Sequence, residues 1–481
     1  MDYRSRVSKL SWRFVVLLSV CACASESASE TSDPTTGSGT EPVAALADSA
    51  GGAGASATPT AAGSVGSMTS TQAAGAGGAA GTGTVGAAGA AGFVGDAGIS
   101  SADEDDAGRE DAGAPDAQAP SEAPDASAPE TPSDDGLGAK PPFAATGMPI
   151  MAPERTWTWV PFADAVCRSG SPAGLSVNLN PASKRVMIYL EGGGACFDAQ
   201  TCGSNPDAVG SQNPGAGGVF DRARADNPVA DWNFVYVPYC TGDVHMGAQR
   251  DGQVAGVSGT QQFVGRLNIT AFLQRLVPTF GDAEQVLLTG ISAGGFGAAS
   301  NAAYVQWAFG DVPVTLVDDS GPTFSADYMP KCLTDLYVQT WGLEGSILDD
   351  CGSGCSADAD YSTQFLDYTM MRAGDNPGGL IESDEDTVIR GFFGVGTNNG
   401  ADDCMGVLLL TPMSSADFLA GLLDYREHVK ANAKMSTFYP SSTQHTWLGG
   451  NGFYTGQAGG VRLVDWFRSV LAGEPAIHAG H

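Results

Sequence analysis

The sequence predicts an α/β protein with a mostly parallel sheet covered by helices on both faces, preceded by a long disordered N-terminal segment. Three observations predict this class. Apolar strand-like runs alternate with helical periodicity through most of the 481-residue chain, the pattern of a parallel sheet with crossover helices. Glycine-rich and polar motifs follow several strands, where ligands bind in such sheets. Residues 25–142 contain almost no large apolar residues, so this segment cannot bury enough surface to fold.

The first 24 residues have the order of a secretory signal. Four basic residues precede an apolar run at 14–24, which is too short to span a bilayer. The triplet Ala22-Cys23-Ala24 fits a small-residue cleavage site, whereas 20–23 fits a bacterial lipoprotein signal in which Cys23 carries lipid. We expect the lipoprotein form, because a long tether follows; the alternative is a freely secreted protein. Either reading predicts export.

Residues 25–142 are predicted to be a disordered tether rich in Ala, Gly, Ser, Thr and Pro. Its second part, 101–135, is acidic and contains proline, which keeps such a chain extended and soluble. Residues 143–481 are long enough for one large core and are predicted to form a single folded domain, expected to be monomeric.

The folded part is acidic in its own right. Residues 151–481 contain 35 acidic and 17 basic residues, a net charge of −18. Nucleic-acid binding requires clusters of basic residues, which this sequence lacks, so nucleic acid is excluded as a partner.

Eight cysteines remain after the signal, and their even number predicts up to four disulfides in an exported chain. The local pair Cys196–Cys202 is the one pairing that we predict. The few histidines do not stand beside cysteine pairs as zinc ligands do, so we expect neither a metal nor a cofactor.

The predicted elements follow from apolar runs and their periodicity. Strands are predicted at 156–161, 174–179, 185–191, 232–238, 286–288, 314–317, 365–371 and 435–439. Helices are predicted at 262–280, from the turn at 292 to 304, and at 333–343, 415–433 and 461–471. The segment 262–280, for example, has apolar residues at 3.6-residue spacing.

The strand–turn–helix at 284–303 carries the main candidate, Ser292. An apolar strand stops at Gly290-Ile-Ser-Ala-Gly294, and small residues at helical spacing follow. A serine at a strained strand-to-helix corner needs glycine on both sides, because a Cβ there would collide with the folded-back backbone. We therefore predict Ser292 as a nucleophile; the alternative is a glycine turn without chemistry.

A serine nucleophile needs a base, and histidine can take and return its proton near neutral pH. His445 lies in a polar loop after the last strand, which fits the chain order nucleophile, acid, base of an α/β-hydrolase. Of the other histidines, His428 is assigned to a solvated helix face, and 478 and 481 to a frayed tail. His245 precedes the nucleophile.

The acid must lie between the nucleophile and the base. Asp386 is predicted, because it follows the next-to-last predicted strand and opens an apolar segment. Asp384 and Asp319 remain alternatives, since an acidic run such as 383–386 is also typical of a solvated loop.

The oxyanion formed by serine attack needs fixed hydrogen-bond donors. The N–H groups of Gly193 and Gly194, just past a strand end, and of Ala293, next to the nucleophile, are predicted to supply them. A phosphate-binding loop at 192–194 is disfavoured, because no Lys and Ser/Thr follow.

Five motifs together are similar to those of the pectin acetylesterase and Notum family. They are LEGGGACFDAQTC at 190–202, YVPYCTGD at 236–243, TGISAGGFGA at 289–298, VDDSGP at 317–322 and QHTWLGG at 444–450. The resemblance runs from about 157 to 466, and 241–245 looks more like bacterial members. It implies an α/β-hydrolase fold and a serine carboxylesterase with Ser292, His445 and the same three oxyanion donors. It also supports the Cys196–Cys202 bridge.

Plant relatives remove acetyl groups from pectin, and the animal relative removes a fatty acyl group from a protein. The resemblance therefore implies an acetylated polysaccharide as the expected substrate and a lipid or acyl-protein ester as the alternative. Ala195 and Gly194 stand where plant relatives and Notum, respectively, have tryptophan, which predicts a different pocket wall. A non-catalytic surface-binding protein of the same fold is the rival from another class.

Overall fold

The computed structural model describes residues 142–357, 360–395, 404 and 411–481. The strands are β1 (Thr158–Val166), β2 (Pro172–Asn178), β3 (Arg185–Leu190), β4 (Asn233–Val237), β5 (Gln249–Gly252), β6 (Gln261–Phe263), β7 (Gln285–Ile291), β8 (Val314–Asp319), β9 (Gly378–Ile381), β10 (Met435–Phe438), β11 (Gln457–Ala458), β12 (Val461–Arg462) and β13 (His478–Ala479). The predicted signal, Cys23 and nearly all of the tether lie outside the described residues.

Ten α-helices accompany these strands in the described part of the chain. They are α1 (Ala199–Ser204), α2 (Gly265–Thr279), α3 (Ala293–Phe309), α4 (Lys331–Trp341), α5 (Ile347–Cys351), α6 (Tyr361–Ala373), α7 (Ile389–Phe393), α8 (Ser415–Val429), α9 (Gly452–Thr455) and α10 (Leu463–Leu471).

The central sheet has nine strands in the order β1-β2-β4-β3-β7-β8-β9-β10-β13. The β1–β2 and β2–β4 pairs are antiparallel, and every later neighbour pair is parallel. The predicted mostly parallel α/β sheet is therefore confirmed. The carboxyl ends of β3, β7, β8, β9 and β10 meet at one edge, which is where ligands bind in such sheets.

Both faces of the sheet are apolar and covered by helices. Along β3, Val186 and Ile188 pack into the core beneath α2 and α3, whereas Met187 and Tyr189 pack into the opposite core with α10. This alternation places consecutive side chains on opposite faces. A strand buried on both sides reads as the continuous apolar run that the sequence shows.

One predicted strand is wrong. Residues 365–371 belong to helix α6, whose N-terminus is capped by Asp360 through its bond to Thr363 N. The strand that actually precedes Asp386 is β9, which the sequence analysis missed because it opens with two glycines. A Cβ on Gly379 would lie 2.6 Å from the ring of Trp466, so the packing of α10 against β9 requires glycine there.

The C-terminal segment also differs from the prediction of a frayed tail. Residues 478–479 form β13, which pairs with β10, and Arg426 donates to the carbonyl oxygens of Gly480 and His481 at 2.7 and 2.6 Å. The segment thus completes the sheet at its edge.

Within the described ranges, every helix is too short or too polar to cross a bilayer. The same residues contain no group of His, Cys, Asp and Glu side chains arranged to hold a metal ion.

Candidate active site

Ser292 occupies the corner between β7 and α3 with φ 55° and ψ −121°, a backbone conformation that residues other than glycine seldom adopt. The flanking glycines have no room for a side chain. A Cβ on Gly290 would lie 2.3 Å from the carbonyl oxygen of Gly294, and one on Gly294 would lie 2.0 Å from that of Leu190. The tight turn that the sequence pattern predicts is therefore enforced by backbone contacts on both sides.

The structure brings His445 and Asp386 together. The Nδ1 atom of His445 lies 2.7 Å from Asp386 Oδ2. The other oxygen of Asp386 accepts hydrogen bonds from the N–H groups of Val388 (2.7 Å) and Ile389 (2.9 Å), and the whole side chain is buried. These bonds fix the carboxylate, and with it the orientation of the imidazole ring.

Asp319, one of the alternative acids, connects the serine corner to the histidine loop. Its carbonyl oxygen accepts from Ser292 N at 2.8 Å, and its Oδ2 atom accepts from the N–H groups of Trp447 (2.8 Å) and Leu448 (2.7 Å). Burial raises the pKa of Asp319 to about 6. Asp319 thus links the backbone of Ser292 to the loop that follows His445, a role that its position in the sequence did not reveal.

Asp384, the other alternative, bonds elsewhere. Its Oδ1 atom accepts from Ser442 N at 2.9 Å, and its Oδ2 atom contacts the ring of His481. Its carboxylate is therefore engaged by the β10–β11 connection and the C-terminal segment.

Glu382 is a buried carboxyl group beside Asp386. Neither of its oxygens receives a hydrogen bond from a donor among the described residues, and its hydrogen-bonding contact is the Asp386 side chain. Burial, together with the negative charge of Asp386, raises the pKa of Glu382 well above its usual range. A proton on Glu382 lets the two carboxyl groups share a hydrogen bond instead of two adjacent charges.

The glycine loop after β3 touches the serine corner. A Cβ on Gly192 would lie 2.6 Å from the Ile291 carbonyl oxygen and 3.1 Å from Ser292 Cβ. Gly194 and Ala293 line the same cavity as Ser292, whereas Gly193 packs on the ring of Tyr239. Of the three predicted oxyanion donors, two therefore belong to residues on the cavity wall.

The loop is anchored by the Cys196–Cys202 disulfide, which is present as predicted, with an S–S distance of 2.03 Å. The other three bridges join Cys167–Cys240, Cys332–Cys404 and Cys351–Cys355. All eight cysteines outside the predicted signal are thus paired.

A cavity of about 90 Å³ extends from Ser292 beneath helices α3 to α7. Its wall is largely apolar and aromatic, with contributions from Phe296, Tyr337, Trp341, Phe365, Phe392 and Phe393. Among the described residues, the polar side chains on the wall belong to serine, threonine, tyrosine and one tryptophan, and none of the lining residues is charged. Such a wall favours an uncharged, apolar group next to the serine.

His245, the histidine that precedes the nucleophile, is buried away from this chemistry. Its Nε2 atom lies 3.0 Å from the Glu191 carbonyl oxygen, and burial lowers the pKa of its imidazole to about 4. A Cβ on Gly297 of α3 would lie 2.8 Å from the His245 Cβ. This neutral histidine packs between the sheet edge and α3. His428, on α8, contacts Asp367 at 2.7 Å near the surface.

Comparison with known proteins gives the family. The model of a family described as "Pectinacetylesterase" matches residues 156–388, which include Ser292 and Asp386. The "Palmitoleoyl-protein carboxylesterase notum2" of Xenopus laevis is 35% identical over 149 residues, covering 28% of this chain and 29% of that protein. The "Inactive palmitoleoyl-protein carboxylesterase notum1b" of Danio rerio is 30% identical over 97 residues, covering 18% of this chain and 68% of that protein.

The sequence match spans about a third or less of the length of the first curated relatives. The fold match extends further. The crystal structure titled Wnt deacylase Notum from Drosophila superposes with a TM-score of 0.53 at 20% identity, covering 68% of this chain and 97% of that chain. The chain belongs to the pectinacetylesterase family and has its α/β-hydrolase fold.

Proposed function

We propose that this chain is an exported serine carboxylesterase that works through an acyl-enzyme intermediate. The observation that carries the proposal is the 2.7 Å contact between His445 Nδ1 and Asp386 Oδ2, on a loop that Asp319 ties to the corner bearing Ser292. Family membership supports ester hydrolysis as the reaction class.

In this mechanism Ser292 Oγ attacks the ester carbonyl carbon while His445 Nε2 takes the hydroxyl proton. Asp386 holds the Nδ1–H tautomer and stabilises the imidazolium that forms. The N–H groups of Gly193, Gly194 and Ala293 stabilise the oxyanion. The imidazolium then protonates the departing alcohol, and a water molecule, deprotonated by His445, hydrolyses the acyl-enzyme.

The first test is Ser292→Ala, which removes the nucleophile without adding volume. We expect hydrolysis of a p-nitrophenyl ester to fall by about four orders of magnitude or more, with an unchanged melting temperature. Ser469→Ala, on the surface of α10, is the matched control and should retain full activity. Activity of Ser292→Ala at the wild-type level would end the proposal.

The acyl group of the substrate is the next question. The resemblance led us to expect deacetylation of a polysaccharide such as pectin, whereas the curated relatives are named palmitoleoyl-protein carboxylesterases. The cavity lining favours a longer acyl chain, because apolar and aromatic side chains from α3 to α7 form more of it than an acetyl methyl group could contact. We therefore propose a lipid or acyl-protein ester as the candidate that the cavity supports, beside the acetylated polysaccharide.

A series of acetyl, butyryl and octanoyl p-nitrophenyl esters separates these candidates. If the chain enters the cavity, each buried methylene contributes about 0.8 kcal/mol, so kcat/KM should rise by up to about fourfold per methylene. A profile that falls from acetyl onwards, together with acetate release from acetylated pectin or xylan, would favour the polysaccharide.

A non-catalytic surface-binding protein is the rival class, and one relative of this chain is named as inactive. Labelling with a fluorophosphonate probe distinguishes the two, because the probe reacts only with an activated serine. Failure of the wild-type protein to label would favour the binding protein.

We also propose that the chain is exported and held at a membrane through lipidated Cys23. Four disulfides support export, since such bonds persist in oxidising compartments. Cys23→Ser should move the protein from the membrane fraction to the soluble fraction; an unchanged distribution would contradict lipid attachment.

A further inference from the structure

Two buried side chains bond to successive carbonyl groups of the glycine loop from outside the cavity. Asn205 Nδ2 donates to the Gly193 carbonyl oxygen at 2.8 Å, and the Tyr239 hydroxyl donates to that of Gly194 at 2.9 Å. Both side chains are buried, and neither lines the cavity that contains Ser292. The bonds therefore act on the back of the loop.

These bonds fix the direction of the next two N–H groups. In a planar trans peptide unit the carbonyl and the following N–H point in opposite directions. The N–H groups of Gly194 and Ala195 are thus turned away from Asn205 and Tyr239, and both residues line the cavity. Neither N–H has an acceptor among the described residues. Gly194 has φ 79°, the left-handed conformation found where successive N–H groups converge on an anion.

We propose that Tyr239 and Asn205 are positioning residues of the oxyanion hole, and that the N–H of Ala195 joins those of Gly193, Gly194 and Ala293 as a donor. This inference rests on the proposed esterase function. It assigns a role to the motif at 236–243, and it names a donor that the sequence analysis did not select.

Each positioning residue is itself held in place. The Tyr239 hydroxyl also accepts from Val244 N at 2.9 Å, and its ring closes on Gly193, where a Cβ would lie 2.5 Å away. The backbone carbonyl of Asn205 accepts from buried Arg168 at 2.8 Å. Donors fixed before the reaction need no reorganisation when the charge develops, and this is what makes an oxyanion hole effective.

Asn205 carries an additional sign of function. Its buried Oδ1 atom has no hydrogen-bond partner within the described part of the chain, while its Nδ2 atom makes the bond to the loop. Burying an unsatisfied acceptor is unfavourable, so a residue selected for stability alone would not leave one. The loop contact accounts for keeping an amide there.

The test is a pair of variants that remove the two donors to the glycine loop. Tyr239→Phe deletes one hydroxyl, and the isosteric Asn205→Leu deletes both the donor and the unsatisfied acceptor. Losing an oxyanion donor outright costs about 10²–10³ in kcat, so misdirecting one should lower kcat about 10- to 100-fold, with KM within about twofold. The rate of fluorophosphonate labelling should fall in parallel. Asn205→Leu should do this without lowering the melting temperature.

Tyr439→Phe is the matched control. Tyr439 is also fully buried, and its hydroxyl donates to the Leu422 carbonyl oxygen on α8 at 3.0 Å, outside the glycine loop. The Tyr439→Phe variant should lose about as much stability as Tyr239→Phe and should keep the wild-type kcat.

The inference is overturned if Tyr239→Phe and Asn205→Leu keep kcat within about twofold of wild type, or if they raise KM alone. In either case the two residues would have only a structural role. The Ser292→Ala variant tests the esterase function independently of them. If the wild-type protein neither labels nor hydrolyses esters, the proposed function and this inference both fail.

Discussion

Asp386 is the residue on which the proposed triad is most open to test, because three aspartates were candidates. Only Asp386 bonds to the His445 ring, whereas Asp384 accepts from Ser442 N. We predict that Asp386→Asn lowers kcat by about 10³–10⁴, because the amide favours the wrong imidazole tautomer. Asp384→Asn should stay within about fivefold of wild type. Steady-state kinetics on the same ester measure kcat for both variants. A larger loss of kcat in Asp384→Asn than in Asp386→Asn would exclude Asp386 as the acid.

The raised pKa of Asp319 predicts that the stability of the folded protein depends on pH. Burial raises its pKa in the folded state to about 6, whereas the unfolded carboxyl titrates near its usual value of about 4. Between these values the folded protein keeps a proton that the unfolded chain has lost, so this group's contribution to stability falls as pH rises from 4 to 6. Below pH 4 Asp319 is protonated in both states and causes no loss of stability. Above about pH 7 it is ionised in both states, and the loss of stability no longer changes with pH.

The Asp319→Asn variant has no such group, and its amide oxygen can still accept from Trp447 and Leu448. Its free energy of unfolding relative to wild type should therefore increase by about 3 kcal/mol between pH 4 and pH 7. Urea unfolding at four pH values measures this, with the exposed Asp311→Asn as the surface control. A difference that does not change with pH would contradict the assignment.

At the scale of elements, strands whose local sequence decides their structure could be predicted, and β9 could not. The apolar runs that became β3 and β7 are unambiguous because they lie in the middle of a sheet buried on both faces. In β9, Gly379 allows close packing against Trp466, which lies 87 positions away in sequence, and Gly378 allows close packing against Met435. The run at 365–371 is apolar for a different reason: α6 packs against α3 and the cavity.

The candidate site likewise contains residues that could be predicted from the sequence and residues that could not. The serine corner could be read from its glycines, because the backbone conformation demands them over five consecutive residues. The link through Asp319, by contrast, joins residues 128 and 129 positions apart, and the Tyr239 hydroxyl bond spans 45. Side-chain bonds to distant backbone groups leave no periodic pattern in a sequence, so the supporting residues became visible only in the folded chain.

At the scale of the whole molecule, chemistry and specificity come from different parts of the chain. The ends of β3 and β7 and the segments after β9 and β10 carry the proposed catalytic groups, and the end of β8 carries Asp319, which links them. The segment between β8 and α8, which contains helices α4 to α7, supplies most of the cavity wall. A change in α4 or α6 should therefore alter the preferred acyl chain without touching the reaction, which is how one fold accommodates different substrates.

The last prediction concerns the stability contributed by two disulfides, which close loops of very different length. Cys167–Cys240 closes 73 residues and ties the β1–β2 hairpin to the end of β4, whereas Cys351–Cys355 closes four. Loop-closure entropy gives about 4 kcal/mol for the first bridge and about 2 kcal/mol for the second. The double variant Cys167→Ala/Cys240→Ala should therefore lose about 2 kcal/mol more stability than Cys351→Ala/Cys355→Ala in chemical unfolding. An equal or smaller loss would mean that the long bridge does not restrict the unfolded chain.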